Sequence, residues 1–309
     1  MKVFLRFLFV FCWPMFILAQ NSYSDLGKEN WKFRKEGDAK WSQASVPGTV
    51  HTDLLRNKMI PDPFFGANEK ELQWIENEDW EYETSFTVSA KDSESENIEL
   101  QFDGLDTYAE VFLNGKSVLK ADNMFRTWKV EVKNYLKQGE NKLQVVFQSA
   151  VKKGKKAAKN LPYTLPGDEK IFSRKAQYQY GWDWGPRFVT AGIWKKVQLH
   201  FWNSATIENI KYEQKSLTDE KAELIFDVVV NSQKAANYQL TINEKSVAFL
   251  LKNGKNNLKI GYEIRNPKRW WSNGLGEAYL YPFAITLSGG TIVLDKKELN
   301  IGLRTIELV

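Results

Sequence analysis

The sequence predicts an all-β protein built as two sandwiches in tandem, and three observations predict it. Apolar residues alternate with polar ones over many short segments, the pattern of strands with one buried and one solvated face. No helical period persists between those segments, which excludes repeated βαβ units. The segments also fall into two series that part near Asn203-Ser204. Residues 20–203 form the first predicted domain and 204–309 the second.

In the first series Tyr82, Thr84, Phe86 and Val88 alternate, as do Ile98, Leu100 and Phe102. Val111 and Leu113 run into Asn114-Gly115, a strong hairpin turn. Leu143-Val145-Phe147 and Val197-Leu199-Phe201 complete it. The exception is Thr49 to Lys58, where Thr49 or Thr52 is placed to cap a short surface helix. The second series runs from Ile207 and Ile210 through Leu224-Phe226-Val228-Val230 and Tyr238-Leu240-Ile242. It ends with Tyr281-Phe283-Ile285 and Ile292-Leu294, spanning about 100 residues, the size of an immunoglobulin-like domain. Long loops around 48–80 and 151–190 belong to the first domain, and such loops usually serve a binding edge or an interface.

Composition excludes several function classes. At 43% hydrophobic and 26% charged residues, the 309-residue chain is neither disordered nor a bundle of membrane helices. Its formal charge of +5 is dispersed except at Lys152, Lys153, Lys155, Lys156 and Lys159. No aromatics interleave that cluster, so it reads as a solvated loop or short helix, and no nucleic-acid partner is expected. The apolar run Val3 to Leu18, with Lys2 and Arg6 at its start and Ala19-Gln20 at its end, predicts a signal peptide over residues 1–19. Export is expected, to the periplasm in preference to the cell exterior, with no membrane attachment after cleavage. Cys12 is the only cysteine and lies in that leader, so the mature chain offers no disulfide or thiolate.

Gly181-Trp182-Asp183-Trp184-Gly185-Pro186 is the most pointed local signal. Glycine, aspartate and proline favour a tight loop. Indole faces beside a carboxylate suit a sugar, whose C–H face stacks while its hydroxyls donate to Asp183. The competing reading is core packing of both tryptophans with Asp183 fixing the turn. Elsewhere catalytic groups are scarce. The run Glu76, Glu78, Asp79, Glu81, Glu83 borders a strand and reads as solvated surface, and Asp103 and Asp106 read as turn residues. With only His51 and His200, no metal site or triad is expected, and no cofactor is implied.

Longer segments resemble a known family. VPGTVHTDLL (46–55), IPDPFFGANEKELQWIENEDWEYETSF (60–86), FDGLDTYAEVFLNG (102–115) and DNMFRTW (122–128) are similar to the start of β-mannosidases of glycoside hydrolase family 2. RKAQYQYGWDWGPRF (174–188), GIWKKVQL (192–199), WWSNGLGEAYLYPF (270–283) and GLRTIEL (302–308) continue the resemblance through the chain. It implies a jelly-roll, galactose-binding-like sandwich, then an immunoglobulin-like sandwich, then a (β/α)8 barrel. A barrel needs roughly 200 residues, and this sequence ends where the resemblance places the start of one.

Retaining glycosidases use two carboxyl groups, which in this family are glutamates on barrel strands; no position here matches them, so no catalytic residue is assigned. The resemblance makes Trp182, Asp183 and Trp184 substrate-binding residues that reach a terminal β-mannoside at the barrel mouth, with Arg174 a candidate supporting residue. The expected function is the non-catalytic N-terminal part of an exported β-mannosidase, inactive alone. Its expected partners are a β-mannoside glycan and the barrel of the full-length enzyme. The alternative is a stand-alone carbohydrate-binding or interaction module.

Overall fold

In the computed structural model of the protein, the structure describes residues 21–307; the predicted signal peptide lies outside the described residues. The chain is all-β and divides into two compact units, with the change between Trp202 and Asn203.

The first unit contains β1 (Ser22–Asp25), β2 (Lys32–Lys35), β3 (Ser42–Gln43), β4 (Trp80–Val88) and β5 (Asn97–Phe102). It continues with β6 (Tyr108–Leu113), β7 (Lys116–Asp122), β8 (Trp128–Glu131), β9 (Gly139–Gln148) and β10 (Val197–Trp202). These form a sheet in the order β1-β10-β5-β8 and a larger one in the order β3-β2-β4-β9-β6-β7. All pairings in both sheets are antiparallel. Alternation explains the shared core: Ile98, Leu100, Phe102, Val197 and Leu199 from the smaller sheet join Phe33, Tyr82, Val111, Val145 and Phe147 from the larger. The β6–β7 hairpin turns at Asn114 and Gly115, both with positive φ, as the Asn-Gly pair predicts.

The two longest helices of this unit lie in its long loops. Val50–Arg56 is capped by Thr49, whose side chain and that of Thr52 satisfy each other's backbone N–H groups. Its Val50 and Leu54 are buried in the core. Ala150–Lys159, capped by Ser149, carries the predicted lysine cluster on its exposed face.

The second unit is a seven-stranded sandwich of β11 (Ala205–Leu217), β12 (Lys221–Ser232), β13 (Ala236–Ile242), β14 (Lys245–Leu251), β15 (Gly254–Arg265), β16 (Tyr281–Gly289) and β17 (Ile292–Ile301). One sheet runs β11-β12-β15 and the other β14-β13-β16-β17. This three-plus-four arrangement is immunoglobulin-like. Phe226, Val228, Leu240, Ile285 and Leu287 lie at the centre of its core. Strands β14 and β15 extend beyond the segments that alternation marks. In β15 the pattern runs through Leu258, Ile260, Tyr262 and Ile264, the first two buried and the last two half-buried against the core. Among the described residues no helix is long and apolar enough to cross a membrane.

Candidate carbohydrate site on the first domain

The predicted loop leaves a short 3-10 turn, Gln177–Tyr180, and closes on itself. Trp182 N donates to Gly185 O at 3.0 Å and Gly185 N donates to Trp182 O at 3.3 Å. This tight turn leaves Trp182 61% and Trp184 83% exposed, which removes the core-packing alternative. The two rings stand 5.7 Å apart, centre to centre, tilted by 58°, with Asp183 exposed between them in sequence. Such a pair presents faces to solvent instead of stacking them on each other.

Arg174 is not drawn to this carboxylate. It is exposed, its backbone bridges to Asn123, and its carbonyl accepts from Met124 N at 3.0 Å. No hydrogen bond or ion pair joins its side chain to Asp183 among the described residues.

The residue that holds the loop is Arg187, which sequence reading did not single out. Its guanidinium donates to Glu76 from Nε at 3.0 Å and from a terminal nitrogen at 2.7 Å. It also donates to Glu169 at 2.8 Å, while its backbone N–H donates to Glu69 at 2.6 Å. Burial would lower the pKa of Arg187, but its bonds to Glu76 and Glu169 outweigh that and raise it. Burial likewise works to raise Glu169, and Arg187 overcomes it to hold that carboxyl below the usual range. The loop's exit is thus clamped by charge-assisted bonds from three other segments of the chain.

The carboxylate run at 76–83 departs from its expectation as solvated surface. Glu76, Glu81 and Glu83 are buried, because each has a cation. Arg187 pairs with Glu76, Arg34 with Glu81 at 2.5 Å, and Lys32 and Lys142 with Glu83 at 3.1 and 2.6 Å. Paired charges tolerate burial that single ones do not.

Asp106 departs likewise from its expectation as a turn residue. It is 1% exposed and pairs at 2.5 Å with Lys175, itself fully buried. Thr107 and Lys175 donate to its Oδ1, while Thr190 (2.7 Å) and Gln179 (3.4 Å) donate to Oδ2. Lys175 also donates to the Thr190 carbonyl at 2.7 Å. Burial pushes the Lys175 ammonium down and Asp106 opposes that shift. Backbone bonds join Asp106 to Gly192 in both directions, and Gly48 and Val50 donate to Ile193 and Ala191. Gly192 has φ near +152°, and a Cβ there would lie 2.6 Å from the Gly48 carbonyl, so the three segments meet only because it has no side chain.

Above this network opens a cleft of about 460 Å3. Its walls include Phe64, Tyr178, Phe188 and Trp194, and its polar lining includes Asp106, Gln179 and Thr190. Gly185 and Pro186 form part of its rim, so the loop borders it.

Both histidines are buried and framed by rings. His51 packs edge-on to Phe188 at 5.6 Å, and burial, with the charge of Lys175, lowers its pKa to about 4 against a partial offset from Asp106. His200 stacks on Tyr23 at 4.3 Å. Among the described residues no group of three or more His, Cys, Asp or Glu is arranged to hold a metal ion.

Comparison with known proteins gives the family of both domains. Residues 31–195 match the family model described as glycosyl hydrolase 2 galactose-binding domain-like, and residues 205–304 match that of glycosyl hydrolases family 2. The chain belongs to glycoside hydrolase family 2. Within that family it is similar to β-mannosidase B of Emericella nidulans, 35% identical over 304 residues, which cover 91% of this chain and 35% of the relative. β-Mannosidase B of Thermothelomyces thermophilus is 33% identical over 306 residues, covering 91% and 34%. The crystal structure of β-D-mannosidase from Dictyoglomus thermophilum aligns with a TM-score of 0.85 at 39% identity, over 94% of this chain and 37% of that one. An exo-chitosanase from Amycolatopsis orientalis, at 18% identity and a TM-score of 0.72, shares the fold. The chain spans about a third of the length of the relatives it matches, and its two domains are homologous to the N-terminal region of family 2 β-mannosidases.

Proposed function

We propose that the chain supplies the non-catalytic N-terminal domains of an exported, periplasmic β-mannosidase that removes terminal non-reducing β-D-mannose with retention. The observation that carries this is the pair of exposed indoles flanking Asp183, on a loop that Arg187 clamps to Glu76 and Glu169. Trp182 and Trp184 give the C–H face of a mannose ring an apolar wall, and Asp183 accepts hydrogen bonds from its hydroxyls. Clamping fixes these groups before the sugar arrives, which lowers the ordering cost of binding.

Bond cleavage with retention needs two carboxyl groups about 5–5.5 Å apart, one as nucleophile and one as acid/base. The carboxylates that line the neighbouring cleft or hold the loop are engaged otherwise: Asp106 with Lys175, and Glu69, Glu76 and Glu169 with Arg187. In this reading the nucleophile and the acid/base belong to a (β/α)8 barrel that partners these domains in the complete enzyme. The loop completes the sugar pocket at the barrel mouth, and these two domains alone hydrolyse nothing.

The test is hydrolysis of p-nitrophenyl β-D-mannoside by this chain, alone and with a barrel-bearing region supplied in trans. No turnover is expected alone, and turnover is expected in the complex. Asp183→Ala should lower kcat/KM of the complex by about 10- to 100-fold, the size of a hydrogen bond to a charged group. Turnover by the chain alone would overturn the reading, and full activity of the Asp183→Ala complex would remove Asp183 from the pocket. Micromolar binding of a β-mannan oligosaccharide by the chain alone would instead establish a stand-alone binding module.

A further inference from the structure

Three Asn-Gly steps occur in the chain, at Asn114-Gly115, Asn253-Gly254 and Asn273-Gly274, and the fold treats each differently. We infer that Asn273 is a site of spontaneous covalent modification, where an exposed hairpin of the second domain converts a carboxamide into a carboxylate while the other two steps are held back. Its chemistry is independent of the β-mannosidase reading.

The reaction consumes only water. The amide nitrogen of the following glycine, having lost its proton to hydroxide, attacks the asparagine Cγ. A new N–Cγ bond forms, the Cγ–Nδ2 bond breaks, and the side-chain nitrogen leaves as ammonia with a proton from solvent. Water then opens the five-membered imide. Attack at Cγ gives an aspartyl residue; attack at the backbone carbonyl gives an isoaspartyl one, whose main chain runs through Cγ and is one carbon longer. Glycine favours ring closure because no Cβ shields its nitrogen. Closure also needs a carboxamide free of hydrogen bonds, a free glycine N–H, and a backbone able to bring the two together.

Asn114 fails on its carboxamide. Its Nδ2 donates to Tyr135 O and Asn141 Oδ1 at 2.8 Å each, and its Oδ1 accepts from Lys142 N at 3.0 Å. Asn253 fails on its backbone, which Asn256 staples on both sides. Asn256 Oδ1 accepts from Lys252 N, and its Nδ2 donates to the carbonyls of Lys252 and Gly254, each at 2.9 Å. Gly254 is also the first residue of β15, paired with Ser232. Asn273 meets every condition. It is exposed, and among the described residues neither its carboxamide nor the Gly274 N–H makes a hydrogen bond. Gly274 has φ near +82°, and nothing lies within 4 Å of where a Cβ would stand, so the turn has room to move. One bond closes that turn, Leu275 N to Ser272 O at 3.1 Å.

The product carries one more negative charge, and its isoaspartyl form one more backbone carbon, at the tip of a hairpin. A bridge between Trp270 and Ala278 and a bond from Trp271 N to Glu277 O at 3.0 Å hold the base. Trp271 packs so closely on Gly276 that a Cβ there would stand 2.7 Å from its ring. A longer tip therefore shifts this contact, and with it the exposed Trp271 and Leu275.

The test is ageing of the full chain in mildly alkaline buffer, followed by mass-spectrometric peptide mapping, ammonia release and labelling with a protein isoaspartyl methyltransferase. In the folded chain Asn273 should convert at least about tenfold faster than Asn114 or Asn253. In guanidinium chloride, where local structure no longer separates them, the three rates should agree within about threefold. Asn273→Gln keeps an amide but disfavours ring closure; it should remove the first equivalent of ammonia and leave Tm unchanged. Hydrogen exchange in the aged chain should quicken over residues 270–278 and hold in the strands. Conversion at Asn114 or Asn253 as fast as at Asn273 in the folded chain overturns the inference, as does undiminished ammonia release from Asn273→Gln. Unaltered exchange at 270–278 in fully converted chain overturns the remodelling of the hairpin.

Discussion

In the first domain Asp53, Glu76, Asp106 and Lys175 are buried, joined to partners that lie far away in the sequence. In the second, strand β12 buries Ala222, Leu224, Phe226, Val228 and Val230 in strict alternation, and its core cluster is apolar throughout. The buried carboxylate there, Asp295, accepts from Thr206 Oγ1 and Ile207 N at 2.8 Å each and holds one strand start. The contrast follows from what each domain carries. The first contains long non-strand segments, whose backbone groups cannot be satisfied by a ladder and whose position must be fixed by side chains. The second is mostly ladder, and packing suffices. Among the described residues, buried ion pairs mark the domain that carries the candidate site.

The strongest way to break that comparison is Lys175→Met. It leaves Asp106 ionised, buried and without its cation, so the first domain should lose about 3–5 kcal/mol. Converting the remaining charge to a neutral acceptor, Lys175→Met with Asp106→Asn, should recover about 2 kcal/mol of it. Hydrogen exchange resolved by domain is the measurement. Protection should fall in residues 21–202 and hold in 203–307. An equal loss in both, or none, would show that the pair does not organise the first domain.

A smaller effect separates the domains by pH. His51 and His200 are the only histidines, and both belong to the first domain. Burial foremost, then Lys175, lowers His51 from 6.5 to about 4 when folded. The unfolded chain then binds a proton throughout that window and the folded chain does not, so stability falls as pH drops from about 6.5 towards 4. The full effect is roughly 3 kcal/mol. Arg187 holds Glu169 below the usual carboxylate range, so that contribution is lost at lower pH. Asp53, raised by burial, acts in the opposite direction and moderates the slope. His51→Gln should flatten the first domain's profile in this window while the second domain's stays as it was. A slope unchanged by His51→Gln would assign the acid sensitivity elsewhere.

The same contrast explains what the sequence disclosed. Alternation depends on near neighbours, so the strands holding Tyr82, Phe102, Val145 and Phe226 were legible, and the Thr49 cap and Asn114-Gly115 turn were local signals too. The loop at 181–186 was legible for the same reason: its glycine, aspartate and proline act on each other. Asp106 was not, because its partner stands 69 residues away in a loop with no period. Glu76 looked solvated beside four other acids, since its counter-ion Arg187 lies 111 residues on. Ion pairing across such separations leaves no trace in local pattern, and burial of charge follows from pairing. The clamp of Arg187 on Glu69, Glu76 and Glu169 was hidden by the same physics.

The smallest expected effect is the one that sharpens the comparison most. Asp183→Ala and Trp184→Ala each remove a side chain that faces solvent, and Trp184 is 83% exposed. The loop's shape is held by the backbone bonds between Trp182 and Gly185 and by Arg187, none of which either substitution touches. First-domain stability should therefore change by no more than about 0.5 kcal/mol in denaturant unfolding, the ordinary range for surface positions. A pair of large indoles that contributes nothing to stability yet stays in water is costly to keep without a ligand, because exposed apolar rings favour association. A loss above about 1 kcal/mol on Trp184→Ala would make the indoles part of the scaffold and withdraw the physical reason for assigning them a sugar.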